Sequence, residues 1–109
     1  MEANVIRGPR KYLRYPEQFG VVDPPQPARL PPSQQYKVKA ALLQHEVARH
    51  VSEQMPRLEM SPADLAARVG VGIEQLRRLL RGESAMSAER MHQLAQAVGL
   101  TITITVEAE

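Results

Sequence analysis

The stretch that decides the fold is SPADLAARVGVGIEQLRRLLRG, residues 61–82. Apolar residues recur at helical spacing on both sides of Gly70-Val71-Gly72, and a further glycine, Gly82, follows the second apolar segment. Glycine adopts the left-handed conformation that ends many helices, so the pattern predicts two short helices joined by a tight turn. Such a pair presents one short helix edge-on to a partner, and the DNA major groove is wide enough to admit it.

Capping residues mark where the helices begin. Ser61 suits the N-cap position, and Pro62 suits the first helical position, where its missing N–H is not needed. Pro56 is expected to stop or bend the helix that precedes this pair. By the same criteria, helices are expected over about residues 33–55, 62–69, 73–81 and 88–98.

The composition of the chain limits its class. A length of 109 residues suffices for one domain with a small core. Because the chain has no cysteine, it has no disulfide framework, thiolate metal site or catalytic cysteine. No apolar run approaches the roughly 20 residues that span a bilayer, and the N-terminal residues lack the apolar core of a signal peptide. We therefore expect a cytoplasmic protein.

No constellation typical of an enzyme is present in the sequence. There is no Ser-His-Asp pattern, phosphate-binding loop or paired carboxylate arrangement. The histidines His45, His50 and His92 lack the spacing of metal ligands, and no thiol completes a set. We expect no catalytic residue, no metal and no cofactor, and we interpret the three histidines as ordinary polar positions.

Charge is distributed unevenly, although the formal net charge is only +2. Residues 1–60 carry nine Lys and Arg against six Asp and Glu, whereas residues 61–109 carry five Arg against six acids. Attraction to DNA must therefore come from local clustering of Arg77, Arg78 and Arg81, helped by the basic N-terminal half.

Residues 1–32 form a proline-rich arm that contains seven of the nine prolines. Proline removes backbone donors and disfavours helix before it, so we expect an extended chain that lacks regular structure or is ordered only against another surface. Three interpretations remain open: a solvated tail, a basic arm along DNA phosphates, and a segment docked on a protein partner. Aromatic and arginine side chains are enriched at protein interfaces, and the candidates for partner binding are Arg10, Tyr12, Tyr15 and Phe19.

The C-terminal segment, residues 101–109, has a different period. The alternating and wholly β-branched run TITITV, residues 101–106, predicts one β-strand. A lone strand leaves its backbone groups unpaired, so a second strand is expected beside it. Pairing within the chain, with Val5-Ile6 or Val21-Val22, stays open. The simplest partner is the same strand of a second copy across a two-fold axis, and the candidate dimerisation residues are then Ile102, Ile104 and Val106.

Helical geometry divides the second short helix into two faces. At about 100° per residue, its apolar side chains form one stripe centred on Leu76, and the opposite face is polar and rich in arginine. On that face, Arg78 can donate two hydrogen bonds to a guanine edge, and Glu74 or Gln75 can contact a neighbouring base. The alternative is that Glu74 and Arg78 form an ordinary i, i+4 ion pair with no role in recognition. The candidate DNA-binding residues are Gly72, Ile73, Glu74, Gln75, Arg77, Arg78 and Arg81.

The sequence LAARVGVGIEQLRRLLRG at residues 65–82 is followed by SAERMHQLAQAVGL at residues 87–100. Together these segments resemble the phage-repressor (XRE) helix-turn-helix family. The resemblance implies an all-α, five-helix domain over residues 33–100, in which the second and third helices contact DNA. By position it implies base contacts from Ile73, Glu74 and Arg78, a capping role for Gly72 and a backbone contact from Arg81. Some members of the family, notably antitoxins, end in a strand that pairs across a dimer.

Three functions follow as alternatives. The first is a homodimeric, sequence-specific repressor that binds double-stranded DNA at a roughly palindromic site, either associated with the bacterial nucleoid or encoded by a phage. The second is an antitoxin-like protein, which neutralises a partner enzyme such as a toxin through the arm and regulates its own operon. The third is a helix-turn-helix scaffold that binds only protein, which the slightly acidic balance of residues 61–109 leaves open.

Overall fold

The chain is mostly helical. A computed structural model describes residues 5–109. Within this range, three single 3-10 turns, Pro9–Tyr12, Pro16–Gln18 and Pro32–Gln34, precede the helices. The α-helices are α1 (Gln35–Arg57), α2 (Pro62–Val69), α3 (Ile73–Arg81) and α4 (Ala88–Ala97). None of these described helices has the length and apolar character needed to cross a bilayer.

Residues 5–109 contain four α-helices rather than the expected five. The predicted bounds of the four agree with the structure to within about two residues, and α1 continues through Pro56 to Arg57 before it ends. A fifth helix would have to follow Gly99, where the β-branched run of Thr and Ile disfavours a helix. The backbone there is instead free of regular secondary structure.

The helix caps predicted from the sequence define the ends of α2 and α3. The Ser61 hydroxyl accepts a hydrogen bond from the Asp64 N–H at 3.1 Å, and the Asp64 carboxylate accepts one from the Ser61 N–H at 2.9 Å. This reciprocal capping box lowers the pKa of Asp64, because the Ser61 backbone N–H stabilises the charged carboxylate. Gly70 ends α2 and Gly82 ends α3, with φ of 72° and 73° respectively.

One apolar core joins all four helices. It is built from one face of each helix, and its fully buried members come from positions that the helical period places inward. Burial of these side chains is the main source of stability in a domain of this size. The most buried members are Val51 of α1, Leu65 of α2, Leu76 of α3, and Leu94 and Val98 at α4.

The arm folds back onto the helices, which the sequence did not predict. Leu13 and Phe19 are buried and pack against Ala48 of α1. Two backbone hydrogen bonds of 2.8 Å, from Arg14 to Gln26 and from Ala28 to Tyr12, close the arm into a short hairpin-like loop. The arm is therefore part of the folded domain over its described residues.

His45 of α1 anchors this arm and is fully buried, so its interpretation as an ordinary polar position is wrong. Its Nδ1 accepts a hydrogen bond from the Gly20 N–H at 2.8 Å. Its Nε2 therefore carries the proton and donates to the Val22 carbonyl, also at 2.8 Å. The Phe19 ring lies edge-on to the imidazole at 5.6 Å. One side chain thus satisfies two backbone groups of the arm.

The C-terminal segment contacts the core only through its first residues. Leu100 and Ile102 pack against the core, whereas Ile104 is 58% and Val106 is 91% exposed. Within residues 5–109 this segment pairs neither with Val5-Ile6 nor with Val21-Val22, since the one isolated bridge joins Leu13 to Pro27. Pairing across a dimer concerns a second copy and stays a prediction.

Candidate nucleic-acid interface

The polar face of α3 points away from the core. Leu76 and Leu79 are buried at 0% and 5% exposure, and they fix which side of this nine-residue helix turns inward. The side chains on the opposite side are free to meet a partner. All seven predicted DNA-binding residues are exposed, namely Gly72, Ile73, Glu74, Gln75, Arg77, Arg78 and Arg81.

The ion pair observed on this face is not the Glu74–Arg78 pair considered from the sequence. Arg77 Nη1 lies 2.7 Å from Glu74 Oε1, so Glu74 pairs with the residue three positions on rather than four. Both side chains are largely exposed, and such pairs contribute only about 0.2–0.5 kcal/mol. Arg78 forms no ion pair with any residue between 5 and 109, so its guanidinium keeps its donors available.

Gln44 of α1 fixes the C-terminal end of α3, a role that the sequence did not reveal. Its side-chain amide donates to the carbonyls of Leu79 and Ser84 at 3.0 and 2.9 Å. Its amide oxygen accepts a hydrogen bond from the Met86 N–H at 2.8 Å. A buried side chain on α1 therefore ties α3 and the following loop to the domain, which sets the angle at which α3 is presented.

The arm also lies beside the exposed face of α3. The Arg10 N–H donates to the Gly82 carbonyl at 3.1 Å, directly at the end of α3. A groove of about 550 Å³ opens between the arm and this helix end. It is lined by Val5, Arg7, Arg10, Arg78, Glu83 and Ser84.

The predicted partner-binding residues of the arm do not share one surface. Tyr15 is 38% exposed, whereas the Phe19 ring is only 3% exposed and belongs to the chain's own core. Arg10 and Tyr12 are half-buried, with Arg10 in the groove beside α3. Phe19 is therefore not an exposed anchor for a partner, because Ala48 and His45 already cover it.

The described part of the chain contains no group of side chains arranged to bind a metal ion. Between residues 5 and 109, no three His, Asp or Glu side chains are grouped so that they could hold a metal ion. His45 uses both ring nitrogens for the arm, and His50 lies beside Glu46 on the exposed side of α1.

Comparison with known proteins agrees with this geometry. The model of the family described as helix-turn-helix matches residues 57–104. No curated protein and no solved structure matches the chain. The matched segment begins at the last residue of α1 and includes α2, α3 and α4, so it contains the exposed polar face and leaves out the arm.

Proposed function

We propose that this chain, whose residues 57–104 match the model of the XRE-type helix-turn-helix family, is a transcription regulator that represses by binding a specific DNA sequence. The family is one of DNA-binding regulators. In this proposal α3 enters the major groove, and α2 supports it across the turn at residues 70–72.

The observation that supports the proposal best is the free, exposed guanidinium of Arg78 in the middle of the polar face of α3. Its planar fork matches the O6 and N7 acceptors of guanine. Gln75 and Glu74 lie one turn nearer the helix start and are placed for a neighbouring base, and the 37% exposed Ile73 is placed for a thymine methyl. Arg77 and Arg81 flank this line and are placed for phosphates.

A dimer is the second part of the proposal. Ile104 and Val106 expose apolar surface on a segment whose alternation favours a strand, and an antiparallel partner strand would cover both. Two copies related by a two-fold axis would place their α3 helices in major grooves about 34 Å apart, on a roughly palindromic site.

Selection of bound duplexes from a random DNA pool tests the proposal. We expect enrichment of one sequence with two related half-sites whose centres are about 10–10.5 base pairs apart. An enriched single half-site would retain DNA recognition and contradict the dimer. A pool that is no more enriched than one carried by an unrelated basic protein would contradict the proposed function.

The alternative of an arm-dependent neutraliser of a toxin-like enzyme has no specific support in the geometry. Of the four predicted anchors in the arm, Phe19 is used internally and Arg10 lies in the groove beside α3.

A further inference from the structure

We infer that the arm supplies a second, phosphate-binding wall of the DNA interface, in which Arg7 and Arg10 bind a backbone phosphate next to the guanine that Arg78 contacts. The inference rests on the proposed function, because the phosphate is taken to belong to the duplex that α3 contacts. It extends the proposal to a region outside the matched residues 57–104.

The three arginines reach one groove from two separate parts of the chain. Arg7 and Arg10 come from the arm, and Arg78 comes from α3, about 70 positions later in the sequence; all three line the same groove of about 550 Å³. The Arg10 Nε donates to the Arg7 carbonyl at 3.4 Å, which holds the two arm residues in one turn. With α3 in the major groove, as proposed, a basic groove beside the end of this helix is available to a backbone phosphate.

The described lining of this groove carries more positive than negative charge. Among residues 5–109, Glu83 is the one carboxylate in the lining, against three guanidinium groups. Its contact with Arg10 is long, with Nη2 and Oε1 3.9 Å apart, and both side chains remain about one-third exposed. Such a pair is weak and exchangeable, so the lining keeps a surplus of arginine donors whose fork geometry matches phosphate oxygens.

The arm is fixed here through backbone contacts rather than through long side chains. Gly8 has a φ of 79°, and a Cβ at this position would collide with the backbone of Gly82 and Glu83. The Arg10 N–H donates to the Gly82 carbonyl, so this carbonyl at the negative end of α3 is already paired. Because the arginine backbones are already held in place, less ordering entropy is lost on binding than for a solvated tail.

The first test removes each arm arginine in the full chain and measures affinity for a selected duplex and for a scrambled duplex over a range of salt concentrations. For Arg7→Ala and for Arg10→Ala, we expect weaker binding to both duplexes and an unchanged ratio between them. Each lost phosphate contact should reduce the slope of log affinity against log salt by about 0.9, or about 3.5-fold in affinity between roughly 50 and 200 mM salt. Thermal unfolding of each variant is measured to check that the fold is retained.

Arg14→Ala is the matched control, since Arg14 lies in the same arm but its guanidinium stacks over the Tyr15 ring at 5.3 Å, outside the groove. If Arg7→Ala gives the same salt slope as Arg14→Ala, the inference is overturned while the proposed function stands. If the wild-type chain binds no duplex, both are overturned.

The second test moves the arm away from the end of α3 without removing an arginine. Gly8→Ala should weaken binding to both duplexes although all three arginines are still present, because the added Cβ pushes the arm away from the end of α3. Gly99→Ala controls for backbone strain, since Gly99 has a similar φ of 75° but open space around its Cβ position. Equal DNA affinity for the two variants would contradict the built-in position of the arm.

Discussion

The proline-rich arm and the C-terminal segment are the two regions outside the four α-helices, and they differ in how they are held. The arm has no regular hydrophobic period, yet Leu13 and Phe19 are buried in the described structure. The C-terminal segment has the clearest alternation in the chain, yet Val106 is 91% exposed. A local sequence pattern therefore indicates which structure a segment favours. Whether the segment packs against the domain depends on a complementary surface elsewhere in the chain.

The surface available to each segment explains why the arm is buried and the C-terminal segment is exposed. α1 offers the arm an apolar position at Ala48 and two hydrogen bonds with His45, which accepts one from Gly20 and donates one to Val22. The C-terminal segment finds a packing position for Ile102 but no strand beside it among residues 5–109. Backbone groups of a strand need such a neighbour, which a second copy would supply.

Removing the main apolar anchor of the arm should have the largest effect on folding. Phe19→Ala deletes a ring that packs on Ala48 and lies against Gly82 and His45, so we expect a loss of about 3–5 kcal/mol in the free energy of unfolding. Chemical denaturation measures this loss. Tyr15→Ala, at a 38% exposed position of the same arm, should change the stability far less. Equal, small losses for the two variants would mean that the arm is not part of the cooperative fold.

Removing the polar anchor should have the next largest effect. His45→Ala leaves the buried Gly20 N–H without its partner, at about 1–3 kcal/mol, whereas the part-buried Val22 carbonyl can accept a hydrogen bond from water instead. Hydrogen exchange of the Gly20 amide should accelerate relative to amides in the core of α4. His92→Ala, at an exposed position of α4, is the control and should leave Gly20 exchange unchanged. Slow exchange at Gly20 in the His45 variant would show that other contacts hold the arm.

Removing the N-cap of α2 should have an intermediate effect on stability, and this cap depends on the local sequence alone. Ser61→Ala removes the hydroxyl that accepts from the Asp64 N–H, and we expect the free energy of unfolding to fall by about 1 kcal/mol. Ser52→Ala, on the exposed side of α1, should have little effect. Matching melting temperatures for the two variants would contradict the capping role.

Charge placed in the C-terminal segment should have the smallest effect on folding but a clear effect on assembly. Ile104→Asp with Val106→Asp should abolish the proposed dimer in analytical ultracentrifugation, yet change the monomer's stability by no more than about 0.5 kcal/mol. Thr103→Asp with Thr105→Asp alters the other face of the same segment and should retain the dimer. Loss of the dimer in both variants, or a wild-type chain that is monomeric at all concentrations, would contradict strand pairing by that apolar face.

The sequence predicts the helices and their exposed face well because these depend on neighbouring residues. Ser61, Gly70 and Gly82 set helix ends through local hydrogen bonds and backbone angles, and the helical period alone places Arg78 outside. The roles of Gln44 and His45 were missed for the opposite reason. Each lies on a long helix where a polar residue is unremarkable, and each bonds to backbone that is more than 20 positions away. The fifth helix came from a family resemblance that residues 101–109 do not follow.

The most direct test of the central claim, that the outer face of α3 recognises DNA, is to titrate Arg78→Ala with a selected duplex and with its single-base variants. We expect affinity for the selected duplex to fall by about 1–3 kcal/mol, and discrimination at one guanine to disappear. Arg68→Ala serves as the control, because that guanidinium is directed at the Ala97 carbonyl on the far end of α4. Unchanged affinity and unchanged base preference in Arg78→Ala would contradict the account.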